Sequence, residues 1–330
     1  MKKLKTDFLR SKVVESSHDV KVLISKYSGK VLLDSGNADD LIYPRSSIKI
    51  FQAIPFIKSK AHLIYKLNSK KIALSCSSHR GESYHIKELQ NWIIKIGINK
   101  KKLKCGIHNP LNTKATERLF RLNKKTNQLH NNCAGKHLAM ITSSIINKYS
   151  TYNYLDFNHP HQIAIRKVFE KFISKEIKSK NFGIDGCSAP QYSFKIKEVS
   201  TMLNNLYNSY RNKFYYNDEI NILINSILNN PNYIGGTDSL DSKIMSIAKK
   251  RIFCKGGAEG VFLFIDLKKG ITGVVKVVDG NERAIPPLIY KLFEKLKIMN
   301  NKELNEFRNY YNFEIVNHAN VVVGSIESKI

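Results

Sequence analysis

Arg45-Ser46-Ser47-Ile48-Lys49 sets a hydroxyl three residues ahead of an amine. On a helix that spacing puts Ser46 and Lys49 on one face. A serine alcohol attacks a carbonyl only with a base beside it, and a desolvated lysine can be that base. In a lysine-rich chain such pairs also arise by chance, and a helix cap followed by a solvated lysine is the plain alternative. Two later segments add to the pair. Ser75-Cys76-Ser77-Ser78-His79-Arg80-Gly81-Glu82 is a polar stretch at the end of an apolar run, where active sites are commonly built. Its plain alternative is the N-cap of the next helix, supplied by Ser78 or Ser83. Lys255-Gly256-Gly257 puts a lysine next to backbone that another group can approach closely.

Cysteine and histidine make a separate group. Asn131-Asn132-Cys133-Ala134-Gly135-Lys136-His137 opens a helical pattern, and Asp185-Gly186-Cys187-Ser188-Ala189-Pro190 is broken by Gly and Pro. Two thiolates from separate loops, with Asp185 or His137 nearby, suit a zinc ion. The alternative is two small buried side chains that never meet. Cys76, Cys105, Cys133, Cys187 and Cys254 are odd in number and scattered, with no Cys-x-x-Cys pair. This is no disulfide framework, and it reads as a reduced, cytoplasmic protein.

These residues need elements to hold them. Val20 to Tyr27 alternates into Ser28-Gly29-Lys30 and resumes at Val31, a hairpin pattern. A second hairpin is expected from Gly260–Leu267 and Ile271–Val278. A helix should follow Pro44 with a serine at its cap. Lys71–Cys76 is either a strand or a buried helix. His85–Ile96 is helical and stops at Gly97. Further helices are expected over Lys136–Tyr149, Gln162–Ile173, Lys195–Tyr210, Glu219–Leu228 and Pro287–Ile298. Strands at both ends with helices between imply an α/β or α+β fold, its sheet closing the N-terminal hairpin onto the C-terminal one. No linker or repeat is visible, so a single interwoven domain over residues 1–330 is expected.

Composition narrows the function classes. The chain has 330 residues, 42% of them hydrophobic, enough for a sizeable core. Its formal charge is +27, but only ten of the 54 basic residues are arginine. The lysine excess is spread along the chain, unlike the clustered, arginine-bearing surface of a nucleic-acid binder. No apolar run is long enough to span a bilayer, and no apolar stretch follows the basic start, so neither a membrane span nor export is expected.

Ser-x-x-Lys, a second serine and a late Lys-x-Gly come in the order of the serine penicillin-recognising hydrolases. The whole ordered series resembles a more particular family, the thermolabile, rhizobial-type L-asparaginase II enzymes. It runs through Glu15-Ser16-Ser17-His18, the Pro44–Lys49 segment with Phe51-Gln52-Ala53, and Ser77–Glu82. It continues through Cys105-Gly106-Ile107-His108, Asn132–His137, Asp185–Pro190 and Gly235-Gly236-Thr237 with Asp241. It ends with Lys255–Gly260 and Asp279-Gly280 with Arg283-Ala284. Order and spacing hold from about residue 14 to 285.

The resemblance implies an architecture similar to serine β-lactamases and penicillin-binding proteins, with a sheet flanked by helices. It implies hydrolysis of L-asparagine to L-aspartate and ammonia, carried out by two pairs, Ser46 with Lys49 and Ser78 with Lys255. Either serine can be the nucleophile on this pattern. Arg45, His137 and Asp185 match substrate-pocket positions, with Asp185 on the α-amino group. Cys133, Lys136 and Cys187 match the ligands of a zinc site beside the substrate, and members are homodimers. Two positions depart from the family: Asp19 replaces a usual Gly, and Ala134 replaces a usual Ser between Cys133 and Gly135. The rival readings are another penicillin-recognising hydrolase and a catalytically inactive basic binding protein.

Overall fold

The computed structural model describes residues 4–330. The chain forms two compact units, each assembled from separate stretches: 1–47, 194–207 and 243–330 in the first, 48–193 and 208–242 in the second. The architecture is mixed α/β, with a curled antiparallel sheet flanked by helices.

The first unit holds that sheet. Its strands run in the order Glu314–Val316, Val322–Lys329, Lys5–Arg10, Val13–Lys26, Ile271–Val277, Val261–Asp266 and Ile252–Gly257, with Val31–Asp34 also paired to Val13–Lys26. Both expected hairpins form, and they join in one sheet as expected from strands at both ends of the chain: Val20 pairs with Val277 and Lys26 with Ile271. Gly29 and Gly270 take left-handed φ at the two turns. Gly273 sits mid-strand because the Phe264 ring fills the space where its Cβ would be, 2.1 Å away. The helix Ile285–Lys295 buries Leu288, Ile289, Leu292 and Phe293 on this core, with the Phe293 and Phe264 rings 4.9 Å apart. It begins earlier than expected because its prolines fit the first turn, where no N–H is needed.

The two ends of the chain form neighbouring strands, Lys5–Arg10 and Val322–Lys329. Alternating hydrophobicity does not mark the first of them, because Thr6 and Asp7 are buried polar residues. Asp7 accepts from Ser17 Oγ at 2.6 Å and pairs with Lys5 and Lys329 at 3.0 and 2.9 Å. Burial alone would raise its pKa, but those donors outweigh it and hold the carboxyl at about 2. His18 Nδ1 donates to Asp279 at 2.6 Å, its tautomer set because Arg283 Nε donates to His18 Nε2 at 2.9 Å. The early and late motifs of the resemblance therefore tie a strand to a loop.

The second unit is mostly helical. Lys71–Cys76, open between strand and helix on its sequence, is a helix over Ser69–Ser75, capped by Asn68 accepting from Lys71 N at 3.1 Å. Lys49–Lys58, Ala134–Ile146 and Asn217–Asn229 pack around it, and Pro160–Ile173 packs on the first two of these. Phe51 meets Phe172 edge-on at 4.9 Å, and Trp92 donates to Thr142 at 3.0 Å across two helices. Ser83–Ile96 ends at Gly97 in left-handed conformation. Among the described residues no helix is long and apolar enough to cross a membrane.

Candidate active site

Ser46 lies in the turn Arg45–Ile48, which leads along the chain into the helix that begins at Lys49. No serine caps this helix, contrary to expectation; the Ser47 hydroxyl instead donates to Pro44 O at 2.6 Å. Arg45 takes φ +54°, a left-handed conformation costly for a residue with a Cβ. The strand Ile252–Gly257 presses on this turn. A Cβ on Gly257 would lie 2.6 Å from Pro44 O and 3.4 Å from Ser46 N, so only glycine permits the approach. Lys255, two residues earlier, is buried, with Nζ donating to Gly256 O at 2.7 Å. The first unit therefore holds the strand of Lys255 against the turn of Ser46.

In the second unit Lys49 is completely buried. Its Nζ donates to Ser77 O and, at 3.1 Å, to Ser78 Oγ. Ser78 is held there by its N–H, which donates to Ile234 O at 2.7 Å. The Gly235-Gly236-Thr237 motif braces the same segment: Thr237 N and Oγ1 both donate to the Glu82 carboxylate at 2.9 Å. Glu82, not Ser78 or Ser83, stands at the start of the next helix, and no side chain caps it.

The thiol group is assembled beside this segment. A Cβ on Gly135 would fall 2.0 Å from Leu74 O, so a glycine lets the helix Ala134–Ile146 close onto the helix that leads to Ser78. Asn131 fixes that helix start, accepting from Cys133 N at 2.9 Å and donating to Cys105 O at 2.7 Å. His108 Nε2 accepts from Asn132 N at 3.0 Å. Cys105-Gly106-Ile107-His108 is thus scaffolding for Cys133. Facing it is the loop of a short hairpin, Phe182–Ile184 with Pro190–Tyr192, which carries Asp185 and Cys187.

The ligand atoms of Cys133, Asp185 and Cys187 all lie within 4.8 Å of one another. Lys136 Nζ donates to Cys187 Sγ at 3.0 Å and lies 4.0 Å from Asp185. The pair of thiols holds one proton strongly. A hydrogen bond from Cys133 pulls Cys187 down to about 5, despite burial, with Lys136 adding to the effect. The same bond, and burial, push Cys133 up to about 12. Burial opposes charge on Lys136, but Cys187, Cys133 and Asp185 outweigh it and raise its pKa above the lysine range. Two sulfurs and a carboxylate within one zinc's reach are a fitting donor set, since Zn–S bonds are about 2.3 Å. Asp185, which the sequence placed near the thiols and the resemblance placed on the substrate, lies with Cys133 and Cys187 in this group, and Lys136 donates to Cys187. His137 is buried, its Nδ1 2.7 Å from Tyr154 Oη.

Sequence reasoning gave no part to Asn131, Gly135 or Tyr154. For the first two the signal lay in motifs already quoted; for Tyr154 there was none.

Buried lysines lie against a serine and against a cysteine pair, beside a group of residues that could hold a metal ion. A sequence model of the family described as L-asparaginase II matches residues 6–328, beyond both ends of the resemblance seen by motif. The chain belongs to the L-asparaginase II family and is an amidohydrolase, acting on a small-molecule amide. A search of curated protein sequences found no match.

Proposed function

We propose that the protein hydrolyses L-asparagine to L-aspartate and ammonia through an acyl-enzyme. The observation that carries this reading is the 3.1 Å contact between buried Lys49 and Ser78 Oγ. Lys49 takes the proton of Ser46, three residues ahead of it, as Ser46 Oγ attacks the side-chain carboxamide carbon. The Lys49 ammonium then donates to Ser78, whose own hydroxyl proton passes to the leaving nitrogen. Ammonia departs and an aspartyl ester remains on Ser46. Water, giving a proton back along the same path, cleaves the ester and restores the serine. Lys255 matches the family's second lysine; Arg45 and His137 bind substrate.

Cys133, Cys187 and Asp185 would hold a zinc ion, with Lys136 on Cys187, and the metal would supply fixed positive charge that orders the substrate. Asp185 then serves the metal or, as the family pattern has it, the α-amino group. The same reading takes the architecture as β-lactamase-like, the protein as a homodimer and its home as the cytoplasm, in keeping with five free cysteines. Ammonia release from L-asparagine and L-glutamine tests it. Ser46→Ala and Ser78→Ala should each lower kcat by at least about two to three orders of magnitude, as loss of a cooperating group does. Near-native turnover in either variant would contradict the relay.

A further inference from the structure

His137 has two ring nitrogens in different circumstances. Nδ1 lies 2.7 Å from Tyr154 Oη, while Nε2 is buried with no hydrogen-bond partner among the described residues. Tyr154 is itself completely buried, and its oxygen also accepts the backbone N–H of Lys104 at 2.8 Å. The phenol has one hydrogen to place. If His137 Nδ1–H donated to Tyr154, the phenolic hydrogen would be left buried without an acceptor, an arrangement folded proteins avoid. If Tyr154 donates to Nδ1, its hydrogen is used, and the neutral imidazole must carry its own hydrogen on Nε2. The Lys104 N–H therefore orients the phenol and the phenol selects the tautomer.

The helix places His137 one turn from Cys133. His137 N donates to Cys133 O at 3.1 Å, so the two side chains lie one turn apart on one face. The charges that act on the ring belong to Lys136, Cys133, Lys49 and Asp185. We propose that Tyr154 is a positioning residue that locks His137 as an Nε2–H donor, so that this position accepts a carboxylate oxygen of the amino-acid substrate. An N–H cannot bond the substrate's ammonium or amide NH2, so the lock lets only an oxygen of the substrate meet His137. The substrate assignment rests on the asparaginase reading; the tautomer does not.

Both parts can be measured. In protein labelled with 15N-histidine, long-range 1H–15N spectra should show His137 as the Nε2–H tautomer. In Tyr154→Phe the signal should move toward a tautomer mixture. That variant should raise KM for L-asparagine, and Kd for L-aspartate by calorimetry, about tenfold, the scale of one lost hydrogen bond to a charged group. Its kcat should fall by a smaller factor. An Nδ1–H tautomer in the native protein would overturn the proposal, as would a folded Tyr154→Phe with unchanged KM and Kd. A native protein with the Nε2–H form but no ammonia release would remove the asparaginase reading and leave the tautomer standing. Should Tyr154→Phe fail to fold, His137→Gln, whose amide nitrogen reaches the place of Nε2, should bind L-aspartate at least about tenfold more tightly than His137→Asn. Equal losses in the two would overturn the donor role.

Discussion

Lys49 and Lys136 are both buried, both lie at the start of helices that pack together, and they meet opposite chemistry. The bonds of the Lys49 amine include one to a carbonyl and one to a hydroxyl. The Lys136 amine bonds Cys187 Sγ, with the Asp185 carboxylate close by, and is held as an ammonium. An amine on a hydroxyl can trade protons with it; an amine fixed between anions serves as charge. On the proposed mechanism, one buried lysine handles protons and another, on a neighbouring helix, serves as charge, and residue type alone does not separate them.

The largest effect should come from breaking the first lysine. Lys49→Met should lower kcat by about three orders of magnitude or more, since it removes the amine on which the proposed relay depends. Lys136→Met should act mainly on KM and on metal content, measured by steady-state ammonia release and elemental analysis. Equal losses of kcat in the two variants would abolish the distinction.

A smaller effect should follow loss of the thiols. Cys133→Ala should raise KM more than it lowers kcat, and chelation should weaken turnover without abolishing it, because nucleophile and base lie elsewhere. Complete loss of kcat on chelation would move the metal into the chemistry.

The smallest effect is a pH dependence. Cys187 ionises in the folded chain at about 5, against about 8.5 for an unfolded thiol. Its thiolate therefore adds stability that is full above the unfolded value and lost as pH falls through about 5. Cys133, pushed up to about 12, acts oppositely and only at higher pH. In metal-free protein the stability gap between native and Cys187→Ala chains, read by denaturant titration, should close between pH 8.5 and 5. A constant gap would mean the thiol is not held as an anion.

The sequence showed the parts of this arrangement better than its pairings. Two hairpins were legible because Val20–Tyr27 and Ile271–Val278 alternate or run apolar between clear turns, and their junction followed. Lys71–Cys76 was ambiguous because six apolar-rich residues suit either period; Asn68 as a cap decides for helix. The terminal strands were illegible because Asp7 is buried by charge pairing, which hydrophobic pattern cannot report. The site residues were named by type and order, but the contact of Lys49 with Ser78 joins members of what the resemblance gives as two separate pairs. Tyr154 acts through one hydrogen bond across 17 residues, a relation no local motif encodes.

The central claim is that buried Lys49 serves a serine nucleophile that becomes acylated. Rapid quenching of the native protein during turnover of L-asparagine, followed by peptide mapping in a mass spectrometer, tests it directly, because the acid quench traps whatever ester is present in the steady state. The expected result is an aspartyl adduct on the peptide carrying Ser46, absent from Lys49→Met. An adduct on Cys187, or residual turnover with Ser46 never modified, would contradict the account.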